Sequence, residues 1–144
     1  VGNRERQAPH QPVRPESFYT VESQRTWLAE TEHLYGILDG RELAGVIALS
    51  NLVRGVFESA NLGYWVDDAR QGRGLATRAV AAIVEVAFGE LGLHRVEAAT
   101  LVDNVASQRV LEKNAFRRIG LAPRYLQIAG AWRDHVLFQR TAED

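Results

Sequence analysis

The 144-residue chain contains no cysteine and no methionine. Without thiols, disulfides, zinc–thiolate sites and a cysteine nucleophile are excluded. A chain with no methionine at position 1 is expected not to begin at its native start, so a segment is expected to precede Val1. Lysine is almost missing: among 17 basic residues only Lys113 is one, which hints at a GC-rich genome and says little about function. No excess of either charge exists. The 17 basic residues face 18 acidic ones for a net charge of -1, so there is no electrostatic footprint for duplex nucleic acid. No apolar run approaches the roughly 20 residues of a membrane helix, and the start shows no secretory signal pattern. The cytoplasm is the expected location, with no membrane partner. Proline is scarce too, and Pro9, Pro12 and Pro15 crowd into the first 17 residues, which read as a fraying helix end and a loop.

What is present suits one soluble domain: 46% hydrophobic and 24% charged residues in a chain long enough for one core. Thr20 can cap a short helix over about 21–31, with Val21, Trp27 and Leu28 as apolar contacts. "LYGIL" (34–38) reads as a strand. Asp39-Gly40 is a hairpin signal leading into "LAGVIALSNL" (43–52). A third strand is expected from about Val56 to Val66, completing an antiparallel meander. Leu75, Ala79, Ile83, Ala87 and Leu91 recur at helical spacing and predict an apolar helix over about 75–90. Gly89 and Gly92 bracket its end. "HRVEAAT" (94–100) alternates as a strand, and after a crossover helix it should run parallel to a neighbour. Asn104 can cap a helix over about 105–114, with Val110 and Leu111 inward. Two closing strands follow at about 116–122 and 132–140, joined by a loop with Pro123 and Gly130. The class is α/β (α+β) with one mixed sheet.

The stretch joining the third strand to the long helix is Gln71-Gly72-Arg73-Gly74-Leu75-Ala76. Two nearby glycines permit a bare tight turn. A P-loop fails, because no G-x-x-x-x-G-K-[ST] spacing exists. A dinucleotide fingerprint has Thr77 where its third glycine belongs, and too few βαβ units surround it. A fourth possibility is an anion cradle, in which successive N–H groups at a helix N-terminus face a pyrophosphate.

Gln71-x-x-Gly74-x-Ala76 matches the Q/R-x-x-G-x-G/A signature of the GNAT acetyltransferases. "GYWV", "LHRVEAAT", "DNVASQRVLEKNAF" and "WRDHVLFQR" follow in order over about Leu34 to Arg140. Together they resemble the ribosomal-protein N-terminal alanine acetyltransferases, the RimJ/RimL type. The resemblance implies one GNAT domain over 1–144, incomplete at its N-terminus and lacking the first strand. It implies a mostly antiparallel sheet with a V-shaped splay between central strands and helices on both faces. It also implies acetyl-CoA as cofactor and, as acceptor, a protein N-terminus or, alternatively, a small amine. A catalytically silent acyl-CoA-binding domain is a further alternative. Members occur as monomers and homodimers.

By the same resemblance, Gln71, Gly72, Arg73, Gly74, Leu75 and Ala76 hold the pyrophosphate, and the backbone of Trp65 and Val66 pairs with the pantetheine. Asn104 lies against the pantetheine and Ser107 near the sulfur, as a hydrogen-bond donor or acid. Many GNAT enzymes have a tyrosine where Leu111 stands, which shifts weight to Ser107. Tyr64 and Trp65 side chains read as aromatic core. Ile119 occupies the position of the family's usual glutamate base. The groups left to take the amine's proton are Glu58, Glu97, His94, Asp134 and His135, and Glu58 is taken as the base; a water chain, or the fraction of α-amine that is already neutral, is the alternative. Ala115 replaces the usual glycine, so Asn114 should take the left-handed turn or strain results. Arg124 and Tyr125 should reach the acceptor at a mouth formed by the Pro-rich start and the 123–130 loop. No metal is expected.

Overall fold

A computed structural model describes residues 33–144. The expected helix over 21–31 and the Pro-rich start lie outside the described residues. Strand β1 (His33–Asp39) turns into β2 (Glu42–Val53) through two residues. Gly40 takes the first of them at φ 65°, where a side chain would be strained. β3 (Ser59–Val66) completes the meander. It starts three residues later than the alternation suggests, because Glu58 adopts φ 44° and the preceding segment loops outward with Val56 and Phe57 exposed.

Helix α1 (Leu75–Glu85) runs on into a π-turn (Val86–Glu90), so the expected helix is present but its last turn is wider. The Leu91 N–H reaches back to the Val86 carbonyl at 3.0 Å. Gly92 then exits at φ 64°. β4 (Arg95–Leu101), α2 (Val105–Lys113), β5 (Arg117–Ile128) and β6 (Ala131–Thr141) complete the described chain. The six strands lie in the order β1-β2-β3-β4-β6-β5. Among the described strands only β3 and β4 are parallel, as the crossover helix requires.

One face of the sheet carries the core. Ile47, Leu49, Leu62, Val96, Ala98, Val136 and Phe138 meet Val80, Ile83 and Val84 of α1 and Leu111 of α2. Both described helices therefore pack on this face. Leu101 and Ile128 are also buried but stand apart from that cluster, on the opposite side.

Near the C-terminus one expectation is corrected and one alternative is decided. The 123–130 segment is not a loop. β5 continues to Ile128, and a two-residue turn at Ala129-Gly130 leads into β6. Pro123 sits in a bulge between Ala122 and Leu126, tolerated because β5 is an edge strand. Asn114 does not take the left-handed position after α2. Ala115 does, at φ 63°. The Asn114 amide is occupied elsewhere, donating to the carbonyls of Thr77 (3.1 Å) and Val110 (3.0 Å). The Phe116 N–H reaches Leu111 O and the Ala115 N–H reaches Glu112 O, the paired closure of a Schellman motif.

Candidate active site

β3 and β4 are paired for three residues only: Ser59 with Arg95, Ala60 with Val96 and Asn61 with Glu97. Beyond that level β3 stays with β2, while β4 follows β6 to Leu101. The strands part into the expected V. Its β3 arm ends at Tyr64-Trp65-Val66, and its β4 arm leads to Asn104 and α2. An open strand edge inside a sheet offers unpaired backbone groups to an extended ligand.

The β3 arm is held close to β2. Gly45 faces Val66, and a Cβ there would fall 2.2 Å from the Trp65 carbonyl oxygen. The Asp67 N–H donates to Ala44 O at 2.6 Å just beyond. The Gln71 amide donates to Val66 O at 3.2 Å, so this residue ties the loop to the end of β3.

Gly72 and Gly74 both adopt left-handed φ, 80° and 75°, and the space where a Gly72 side chain would stand is empty. Gly74 caps α1, whose N-terminus opens onto this cradle. Leu75 is buried beneath it and Ala76 packs against the core. The residues fit an anion of pyrophosphate type, with bare backbone donors and a helix N-terminus together. Arg73 does not lean into the cradle. Its guanidinium pairs with Asp39 at 2.9 Å, in an ion-pair group with Arg70 and Glu42. The cation over the loop is Arg78, which sequence reasoning missed. It donates to Arg73 O at 3.2 Å, and it is the nearest side chain to a Cβ placed on Gly74. Its signal was its place four residues after Gly74, one helical turn away.

Across the V, the Asn104 side chain accepts the Ser107 N–H at 3.3 Å and caps α2. Gln108, also missed, donates to Thr100 Oγ1, Leu101 O and Val102 O, and so fixes α2 to the end of β4. Tyr64 is more than core. Its hydroxyl lies 2.8 Å from Ser107 Oγ and 3.4 Å from Ser107 O. Burial pushes the Tyr64 phenol up to about 12, against a smaller opposing effect of the Ser107 hydrogen bond. It therefore keeps its proton at neutral pH, and a hydroxyl pair links β3 with α2.

Glu58 is not at this site. It precedes β3, seven residues from Trp65, roughly 20 Å along an extended strand. Its carboxylate receives Arg54 and the Gly55 N–H, both at 3.0 Å. Glu97 pairs with Arg95, and His94 meets Glu143, both at the closed end of the V. Ile119 is the extra residue of a second β5 bulge and is largely exposed. Asp134 accepts the Arg124 N–H at 2.9 Å. His135 is buried, and the Tyr125 ring lies 5.7 Å from its own. Arg124 and Tyr125 thus sit on the bulge beside His135 and not on a loop tip. Among the described residues no group of three or more His, Asp or Glu is arranged to hold a metal ion. Among them too, no helix is long and apolar enough to cross a membrane.

A split parallel pair, a glycine cradle at a helix N-terminus and a hydroxyl at the opposite mouth define a class of acyl-CoA-using transferases. The family described as acetyltransferase (GNAT) domain matches residues 3–117. The chain is 38% identical over 133 residues to the Bacillus subtilis protein "Probable N-acetyltransferase YjcK", covering 85% of this chain and 74% of that one. It is 38% identical over 106 residues to the Escherichia coli [Ribosomal protein uS5]-alanine N-acetyltransferase, covering 74% of this chain and 55% of that one. The chain thus spans little more than half the length of that second relative. The structure of Mycobacterium smegmatis RimJ in complex with CoA-disulfide superposes with a TM-score of 0.90 at 33% identity, covering 99% of this chain and 73% of that one. The chain belongs to the GNAT family of acetyl-CoA-dependent N-acetyltransferases.

Proposed function

We propose that the chain transfers the acetyl group of acetyl-CoA to the N-terminal α-amine of a protein, with ribosomal proteins as the first substrates to try. The observation that carries this is the likeness to the uS5-alanine enzyme and to RimJ in both sequence and fold. The reading places the protein in the cytoplasm, where nascent ribosomal proteins are found.

In this reading Gly72, Gly74, the N-terminus of α1 and Arg78 bind the diphosphate, and Gln71 keeps the end of β3 in place. The β3 edge at Trp65 and Val66 orients the thioester arm, and its N–H groups are the donors for charge developing on the carbonyl oxygen. Asn104 holds the first turn of α2, and Ser107 hydrogen-bonds the departing sulfur. Tyr64 fixes the Ser107 hydroxyl. With the phenol protonated, Tyr64 can donate to Ser107 Oγ and leave the serine proton for the sulfur. Acetyl-CoA supplies the activated acyl group; the protein contributes orientation and placed donors. Arg124 and Tyr125 line the acceptor side.

The test is a panel of Ala- and Ser-starting peptides and small amines, incubated with acetyl-CoA and followed by free-thiol release. Turnover on peptides is expected. Turnover confined to small amines would replace the proposed acceptor. Tight acetyl-CoA binding without any turnover would identify a silent acyl-CoA-binding domain.

A further inference from the structure

We infer that His135 takes the proton of the acceptor amine, the task left open by Ile119. The inference rests on the acetyl transfer proposed above.

Register places the residue. Asn61 and Glu97 are the last paired residues of β3 and β4. Four residues further along each strand stand Trp65 and Leu101, level with each other across the opened V. Leu101 pairs with His135 of β6. Directly paired residues point to one face, and alternation sets that face. Trp65, Leu101 and His135 therefore share the face opposite the helix-packed core. Leu101 agrees, since it is buried but excluded from that core. Ser107 and Tyr64 lie toward the helix side of the V. His135 is thus level with Trp65, one strand beyond the gap, on the side opposite the sulfur's hydrogen-bond partner. An amine attacking a thioester held in the gap needs its base on that side, directly or through one water.

The imidazole is also set in the required tautomer. Its Nδ1 lies 2.9 Å from the Arg133 carbonyl, an acceptor only, so Nδ1 carries the hydrogen. That leaves Nε2 with a lone pair and no hydrogen-bond partner among the described residues. The described neighbours are Tyr125 from β5, whose ring is tilted against it, Ala122 opposite on β5, Leu101 on β4 and Arg133 on its own strand. No described carboxylate contacts the ring, and Asp134 alternates to the other face. The alternatives Glu58, Glu97 and His94 lie at or below the level of Asn61, where the strands are still closed.

The step balances simply. One proton passes from the ammonium to Nε2 and on to solvent. The freed lone pair forms the C–N bond, the C–S bond breaks, and the second amine proton leaves as the sulfur gains one. One proton is released per turnover.

The test compares His135→Asn and His135→Gln with the unaltered 144-residue chain on an Ala-starting peptide. Near neutral pH, kcat/KM should fall about 100-fold. Acetyl-CoA affinity should be unchanged. The deficit should narrow as pH rises past about 8, where an α-amine is already neutral. A variant within about threefold of the unaltered chain, with the same pH profile, would overturn the assignment. Should both variants fail to fold, nitrogen NMR of the unaltered chain decides. An Nδ1–H tautomer whose Nε2 resonance shifts on peptide addition supports the role, and an Nε2–H tautomer, or a resonance unmoved by the peptide, refutes it. No turnover by the unaltered chain would overturn the acetyl-transfer reading itself and this inference with it.

Discussion

Ser107 alone is a poor acid, and Tyr64 changes what it can do. If the pair acts as one unit, Tyr64→Phe and Ser107→Ala should each lower kcat about tenfold, with the double variant no worse than the single ones. Acetyl-CoA affinity should hold in all three. Additive losses in kcat would show two independent roles. Arg78 makes a separate prediction. As the cation beside the cradle, Arg78→Ala should weaken acetyl-CoA binding about tenfold with kcat little changed. Titration calorimetry checks this, and Arg73→Ala is the control expected to matter less because Arg73 already faces Asp39. At Ala115 the left-handed backbone carries a side chain it does not favour. Ala115→Gly should therefore raise unfolding stability by about 1 kcal/mol in a denaturant titration.

At the scale of elements, what could be read in the sequence was local. The Gly40 turn, the helical period from Leu75 to Leu91 and the alternation of β4 each need only neighbours in the chain, and each is where periodicity puts it. The departures come from contacts made across the sheet. The bulges at Ile119 and Pro123 follow from pairing with β6, which no window of β5 alone reveals. Asn114 was the natural left-handed residue by composition, but Thr77, 37 positions away, takes its amide. The site divides the same way. The glycine turn of the cradle is contiguous and Gly72 and Gly74 were legible as its left-handed positions, whereas Gln71 and Arg73 turn to Val66 and Asp39. Arg78 and Gln108 needed helix geometry, and His135 needed the β4–β6 register. The close approach of β2 to β3 was likewise hidden. Replacing Gly45 with Ala forces the Trp65 carbonyl to move. The expected cost is about 1–3 kcal/mol. A weaker acetyl-CoA affinity should accompany it, because the same backbone lines the V. Unchanged affinity in a folded Gly45→Ala protein would mean that the β3 edge does not hold the ligand.

For the whole molecule, the sheet supplies a rigid frame and the splay supplies the opening. A buried hydroxyl beside that opening also leaves a mark on global stability. Tyr64 holds its proton more tightly folded, at about 12, than its ordinary value of 10.0. Between those values the folded chain binds more protons than the unfolded one, so stability falls as pH rises and is unaffected below pH 10. The loss across the window should be on the order of 2–3 kcal/mol, and Tyr64→Phe should remove that part of the slope. Paired denaturant titrations from pH 8 to 12 measure it. The central claim concerns chemistry at the V, and a single product analysis tests it most directly. An Ala-starting peptide that also carries an internal lysine is incubated with acetyl-CoA and the chain, and the product is sequenced by tandem mass spectrometry. The account predicts one acetyl group on the α-amine and none on the lysine. Acetylation of the lysine side chain, or an unmodified peptide, would contradict it.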